Sequence, residues 1–429
     1  MAGPGDAAPL PPAAARDGSG AAAHRPTVAV IGAGPAGLMA AERLAAAGCA
    51  VTVVERMPSP ARKLLIAGRG GLNLTHTEPL ERFLDRYGAA RARLEPAIRR
   101  FDPEALRRWC EELGEPTFVG SSGRVFPTAF KAAPLLRAWL ARLDTLGVQL
   151  RRRCRWDGWD ETGALILRDE AGAHPLRPDA TVLALGGASW PRLGSDGNWV
   201  SILRARGVEV APLRPSNTGF TAEWSPAFRE RAEGEPLKRV ALTLDGRTVR
   251  GEAVVTASGI EGGVIYALSA PIRDRIAAEG EARPTLDLRP DLSREELRRR
   301  LSAPRRAQSL SNFLRRAAAM PPVAVALLRE ATGGNAAALN EPDQLAGLIK
   351  ALPLRLTGIP SIERAISSAG GILWDEVDEG FALRRCSGTF VAGEMLDWEA
   401  PTGGYLLQAC FSTGLAAAEG ALRHLGVAA

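Results

Sequence analysis

Apolar positions near the start of the chain fall into two short runs separated by a helical repeat. Thr27-Val-Ala-Val-Ile31 is almost wholly apolar, the pattern of a strand covered on both faces. Leu38, Ala41, Leu44 and Ala45 then recur at helical spacing, and Gly48 marks the stop. Ala50-Val-Thr-Val-Val54 predicts a second buried strand. Strand, helix and strand in this order predict a parallel βαβ unit.

Further along, the pattern predicts helices over Phe101–Leu113 and Ala132–Leu146. Strands are expected at Val148–Trp156, Ala164–Arg168 and Ala180–Leu185. Asp245-Gly246 divides 238–256 into a hairpin. From 291 the chain turns helical. Ser293 with Glu296 reads as a capping box opening Arg294–Leu301, and Ser309–Met320 is a further helix stopped by Pro321-Pro322. Near the end, Thr389–Ala392 is a short strand, and a small-residue helix follows Gly403-Gly404.

The linker between the first strand and its helix changes the picture from fold to chemistry. It reads Gly32-Ala-Gly34-Pro35-Ala36-Gly37, and Glu55 ends the second strand. A G-x-G-x-x-G motif between strand and helix, with an acid after the next strand, is the dinucleotide-binding fingerprint. Gly32 permits the tight turn, Gly34 lets backbone approach a pyrophosphate, and Gly37 allows close helix–sheet packing. The helix N-terminus offers free N–H groups to the phosphates. Glu55 is suited to a ribose diol and would repel a 2′-phosphate.

Two further segments carry candidate chemistry. Arg62-Lys63 leads into Gly68-Arg-Gly-Gly-Leu-Asn73-Leu-Thr-His76, which reads either as a second approach of backbone to an anionic or planar ligand or as a surface loop. Gly393-Glu394-Met-Leu-Asp397 and Pro401-Thr-Gly403-Gly404-Tyr405 place an acidic loop and a double glycine before a helix N-terminus, a second dipole site able to face a carbonyl oxygen or developing negative charge.

Composition sets limits on function. The chain has 429 residues, 46% hydrophobic and 24% charged, with a net charge of +6, which excludes wholesale disorder or a fibre. Only four of the 54 basic residues are lysine. That bias reads chiefly as the mark of a GC-rich genome, since Ala, Gly and Pro are abundant too. The run Arg298, Arg299, Arg300, Arg305, Arg306, Arg315 and Arg316 contains no acid; it reads as a solvated helical face or as a contact surface for RNA phosphates. No stretch suits a membrane span, and residues 1–25 lack the features of a secretory signal and read as a disordered tail or a misplaced start. The five scattered cysteines suggest a reducing cytoplasm, and the spacing of the four histidines gives no metal signature.

Taken together, Val30 to Gly37 with Glu55, Arg62 to His76, Gly123-Arg-Val-Phe-Pro127, Leu185-Gly186-Gly-Ala-Ser189, Gly194-Ser-Asp-Gly197, Gly393–Asp397 and Pro401–Tyr405 resemble the BaiN/YhiN-like flavoproteins, also described as the aminoacetone oxidase family of NAD(P)/FAD-dependent oxidoreductases. The resemblance runs from about residue 26 to the C-terminus. It implies an α/β fold: a glutathione-reductase-like, Rossmann-type FAD-binding domain split in sequence, with an inserted β-rich domain and a small helical domain. The expected boundaries are 26–190 and 360–429 for the FAD domain, with 191–275 and 336–359 β-rich and 276–335 helical.

The resemblance further implies that Gly32, Gly34, Pro35, Ala36 and Gly37 hold the pyrophosphate and Glu55 the adenosine ribose. Arg62, Lys63, Asn73 and Gly186 would line the cofactor, Gly393, Glu394 or Asp397 would sit near the ribityl–phosphate, and Gly403, Gly404 and Tyr405 near the flavin pyrimidine ring. Where family members carry Arg-Cys before the loop Asn, this chain has Gly71-Leu72. A cytoplasmic oxidoreductase acting on a small molecule is expected, with NAD(P)H or oxygen as redox partner. The family also includes a ribosomal RNA dihydrouridine synthase, which keeps an RNA substrate open, and a non-catalytic flavin-binding protein is a third reading. The acid–base candidates beside the cofactor motifs are His76 and Tyr405.

Overall fold

The computed structural model describes residues 25–305 and 307–428. The expected tail at 1–25 lies, apart from Arg25, outside the described residues, as does Arg306. The chain divides into two compact units, one formed by residues up to Arg214 together with those from Ser368 onward, the other by Pro215–Ser367. The second unit therefore begins later, and ends later, than the 191–359 insert drawn from the sequence.

The first unit is built on a five-stranded parallel sheet. Its order is Thr389–Val391, Ala180–Leu183, β1 (Thr27–Ile31), β2 (Ala50–Glu55) and Gln149–Arg152. Val30 pairs with Val53 on one side and Val182 on the other. Val28 to Ile31 are buried without exception, which is why β1 carries no alternation. The edge position beside Ala180–Leu183 is filled from the far end of the sequence.

Helix α1 (Pro35–Ala46) starts with Pro at its first position and is followed by Gly48 at φ 93°, as a helix between two strands should be. It packs along the long C-terminal helix Tyr405–His424. A Cβ on Gly414 would lie 2.3 Å from the carbonyl oxygen of Ala36, so the small residues of that helix exist because α1 lies against them.

Two three-stranded antiparallel sheets also belong to the unit. One joins Thr75–His76, Arg124–Pro127 and Thr117–Val119; the other is the meander Arg155–Trp159, Leu165–Asp169 and Gly172–Leu176. The single strand expected over 148–156 is broken at Arg153, whose φ is 55°, and its two halves join different sheets. The loop expected after Lys63 begins as a short helix, α2 (Arg62–Ala67).

The second unit has a six-stranded sheet containing the hairpin Pro236–Leu244 and Arg247–Thr256, with Asp245 at φ 48° in its turn. Its helices include Arg294–Leu301, capped by Ser293, and Leu310–Ala318, capped by Ser309. Pro322 opens the next helix, so the Pro-Pro pair both stops one helix and starts another. Strands and helices of this unit share one hydrophobic core. No helix among the described residues is long and apolar enough to cross a membrane.

Candidate functional site

The turn after β1 is fixed by close packing. A Cβ on Gly32, at φ 106°, would sit 2.3 Å from the Ala184 carbonyl, and one on Gly37 would sit 1.9 Å from the Gly32 carbonyl. Gly34 differs from both: a Cβ there would meet nothing within 4 Å. The space over Gly34 is open, and it lies at the N-terminus of α1, the positive end of that helix dipole. Glu55 reaches this turn from the end of β2. Its carboxylate accepts the Ala33 N–H at 3.1 Å and the Met57 N–H at 2.7 Å. Burial pushes its pKa up, against the opposing pull of those two bonds.

A second cluster joins the two ends of the sequence. Lys63 Nζ donates to Ser189 Oγ at 2.8 Å and to Glu394 Oε2 at 2.9 Å. The other Glu394 oxygen accepts the Ser368 N–H at 2.9 Å. Gly186, at φ 72°, faces Ser195 Oγ and Glu394. Gly393, at φ 74°, lies against Ala36 and donates its N–H to Thr413 Oγ1. Asp397 stands apart from this cluster: its backbone bonds to Ile372 and accepts from the Trp374 indole. Burial pushes its carboxyl up, opposed by Arg214.

The double glycine opens the C-terminal helix. Gly404, at φ 95°, presses on Thr75, where a Cβ would come within 2.5 Å of backbone. Tyr405 is buried beneath it, and its hydroxyl donates to Glu78 at 2.5 Å. Arg86 grips Glu78 with two nitrogens, at 2.9 and 2.6 Å. Burial and the Glu78 bond raise the Tyr405 phenol well above its ordinary value. His76 stacks on the Tyr405 ring at 5.7 Å. Its Nδ1 accepts the Glu78 N–H, and its Nε2 lies 2.9 Å from the Ser122 carbonyl, so an Nε2–H tautomer satisfies both. Both acid–base candidates are thus engaged with protein groups.

The FAD implied by the resemblance can be tested against groups that the protein leaves unsatisfied. Arg62 Nε, Asn73 Oδ1, Thr75 Oγ1 and Ser195 Oγ are buried without a hydrogen-bond partner. Buried polar atoms are normally bonded. Two cations, an open glycine turn at a helix N-terminus, and these orphaned atoms fit a large anionic cofactor with polar edges.

Sequence reasoning passed over Glu78, Arg86 and Ser368, which carry no local signature. Ser189 and Ser195 lay inside motifs but were not singled out. It also passed over an aromatic shelf. Phe118 and Phe126 face each other across two strands, and Phe130 joins them at 5.1 Å from Phe126. Phe118 is 41% exposed and Phe130 45%. Phe130 has φ 60°, rare for so bulky a residue. Its ring covers Gly71, where a Cβ would lie 2.3 Å from it. The Gly71-Leu72 departure therefore makes room for an aromatic ring on the loop that carries Asn73.

Comparison with known proteins identifies the family. Residues 26–420 match the family described as HI0933-like protein Rossmann domain. The 3-dehydro-bile acid delta(4,6)-reductase of Clostridium scindens is 25% identical over 92% of this chain and 98% of its own. The ribosomal RNA dihydrouridine synthase of Escherichia coli is 25% identical over 91% of this chain and 96% of its own. Among solved structures, the 3-ketosteroid-delta4-(5alpha)-dehydrogenase of Rhodococcus jostii superposes with a TM-score of 0.51 at 16% identity, covering 92% of this chain and 96% of that one. The 3-ketosteroid delta1-dehydrogenase of Sterolibacterium denitrificans gives 0.51 at 13% identity, covering 92% and 99%; both likenesses are of fold. The chain belongs to the HI0933-like Rossmann family of FAD-dependent oxidoreductases.

Proposed function

We propose that the chain exchanges hydride between FAD and a flat, apolar small molecule bearing a double bond conjugated to a carbonyl. The observation that carries this reading is the aromatic shelf of Phe118, Phe126 and Phe130, exposed at Phe118 and Phe130, beside the Gly68–Asn73 loop. Exposed aromatic clusters of this kind mark binding surfaces. The bile-acid reductase relative, matched over nearly its whole length, supports the same substrate class.

Bound FAD supplies a ring that takes up or gives up hydride. The chain's own residues supply position and polarity. Gly34 and the first turn of α1 receive the pyrophosphate, and Glu55 the adenosine ribose. Lys63 and Glu394 fix each other, and through Ser189 and Ser368 they hold the loops around Gly186. Arg62, Asn73 and Ser195 turn unsatisfied polar atoms toward the cofactor. Tyr405, held by Glu78, would fix the helix N-terminus that the resemblance assigns to the flavin's pyrimidine ring. Asp397 stands at the turn after Glu394. NAD(P)H or oxygen serves as redox partner; with a single G-x-G-x-x-G in the sequence, a nicotinamide donor would use the substrate's own approach.

Anaerobic titration of the FAD-loaded protein tests this reading. The expected result is bleaching by NADH or NADPH and recovery of colour on adding a steroid 4-en-3-one. Protein that takes up no FAD, or reduced protein that recovers colour with oxygen but with no enone offered, would overturn it.

A second reading, modification of RNA, is favoured by the Escherichia coli relative's name and by one feature of the second unit. Arg298, Arg315 and Arg316 are exposed and have no acidic partner among the described residues. Arg299 and Arg300 are already paired with Glu296. RNA binding whose affinity falls steeply with salt, and falls less steeply in R298A/R315A/R316A, would support it.

A further inference from the structure

Cys154, Asp169 and His174 are too irregularly spaced in sequence to suggest a metal site. The fold of the meander brings them together. Arg155 pairs with Arg168, and Trp156 with Leu167. Leu167 pairs with His174, and Asp169 with Gly172. Side chains two apart on a strand share a face, so Trp156, Leu167 and Asp169, and Gly172 and His174 lie on one face, and Cys154, just before the first strand, meets that face. Arg155 and Arg168 lie on the opposite face, where both pair with Asp157 at 2.6 Å. The thiol, one carboxylate oxygen and one imidazole nitrogen lie within 4.8 Å of one another.

Each of the three groups is available. Asp169 Oδ1 accepts the Ala171 N–H at 2.9 Å, which leaves Oδ2 free to turn toward His174 Nε2 at 3.8 Å. That separation is too long for a hydrogen bond. It is close to the roughly 3.3–3.7 Å between neighbouring ligands of a tetrahedral zinc bound at about 2.0–2.3 Å. Cys154 is 2% exposed, while the Asp169 and His174 side chains are 34% and 35% exposed. One buried ligand and two at the rim give an ion a floor and a way in.

We propose that Cys154, Asp169 and His174 form a zinc site. A thiolate, an imidazole and a carboxylate are the donor set that favours zinc over magnesium or calcium. A thiolate and a carboxylate balance the two charges of the ion, and binding releases the thiol proton to solvent. Three protein ligands leave a fourth position for water. The site is empty of any assigned role in flavin chemistry, and its place in the fold indicates what it does. The Cys154 N–H donates to the Glu55 carbonyl at 3.0 Å, and the Arg153 N–H to the Met57 carbonyl at 3.2 Å. Zinc would therefore pin the meander to the strand end that carries the ribose-binding acid.

The test is zinc analysis of the purified FAD-loaded protein after incubation with zinc and exhaustive dialysis, followed by cobalt(II) titration. The wild type is expected to keep one zinc per chain and to show a thiolate-to-cobalt charge-transfer band. H174A and D169N alter rim residues, so they are expected to fold; C154A and C154S change a buried one, and circular dichroism checks all four. Each is expected to lose most of the zinc, and C154A and C154S to lose the cobalt band. Thermal melting of the wild type, but not of H174A, is expected to shift upward with added zinc. Wild-type protein that keeps no stoichiometric zinc, or folded H174A and D169N that keep as much as the wild type, would overturn the proposal.

Discussion

Lys63 Nζ lies 2.9 Å from Glu394 Oε2 across 331 residues of sequence. The pair is largely shielded, with side chains 28% and 12% exposed. Removing one partner leaves the other charge poorly compensated. Lys63→Met is expected to cost about 1–3 kcal/mol of stability and to weaken FAD binding. Glu394→Gln, which keeps a hydrogen-bonding oxygen, is expected to cost less. Urea unfolding with and without FAD measures both; a Lys63→Met protein as stable as the wild type would remove the pair from the site's framework.

Gly34 and Gly37 belong to one motif but face different obstacles. Gly34→Ala meets open space in the protein, so its stability without FAD should match the wild type. Its methyl group would occupy the approach of the pyrophosphate, and FAD affinity is expected to fall on the order of ten- to a hundredfold. Gly37→Ala drives a methyl group into the Gly32 carbonyl and is expected to destabilise the apoprotein itself by about 1–3 kcal/mol or more. Melting curves and fluorescence titration separate the two; equal effects of both variants on the apoprotein would contradict this division.

Two carboxylates, Glu42 buried and Glu78 half-buried, should give stability opposite dependences on pH. Burial pushes Glu42 above its ordinary 4.5, although Arg142 and the indoles of Trp109 and Trp139 oppose it. Its folded form holds the proton more tightly, so its contribution is full below 4.5 and is lost as pH rises. For Glu78, burial acts upward but the bonds from Arg86 and Tyr405 outweigh it, and its pKa is lowered. Its contribution is full above 4.5 and is lost as pH falls. Glu42→Gln should therefore flatten the decline from acid toward neutral pH, whereas Arg86→Ala should move acid unfolding to higher pH. Denaturant melts at a series of pH values check both signs.

Phe130→Ala removes the ring that covers Gly71. Loss of its contact with an apolar substrate is expected to raise KM about tenfold or more, with FAD affinity unchanged. Steady-state kinetics against the steroid enone, beside an FAD titration, would reveal the opposite outcome, a loss of cofactor with KM intact.

The cofactor turn was legible because its signal is local: an unalternated apolar run, three glycines at fixed offsets, and an acid at the next strand end. Glu55 does come back to Ala33. Other relationships had no local signal. Nothing near Glu78 announces that it will hold Tyr405, because only the docking of the C-terminal helix on Thr75 brings them together. Helix α2 was missed because its six residues are fewer than two turns and run into glycines. The break at Arg153 was missed because a non-glycine residue at positive φ leaves no mark in the alternation. Cys154, Asp169 and His174 meet through cross-strand register, which spacing along a chain does not encode.

The parallel sheet has an order in space that differs from the order of synthesis. The strand ending at Leu183 is flanked by β1 on one side and, on the other, by Thr389–Val391. Until that last strand and the helix after it leave the ribosome, the edge of Ala180–Leu183 has no neighbour, and α1 lacks the long helix against which its small residues pack. The whole of 215–367 emerges in the meantime and, with its own core, can fold first. The cofactor domain is thus among the first parts begun and the last completed, and a nascent chain cut short before Thr389 could not close its own nucleotide fold.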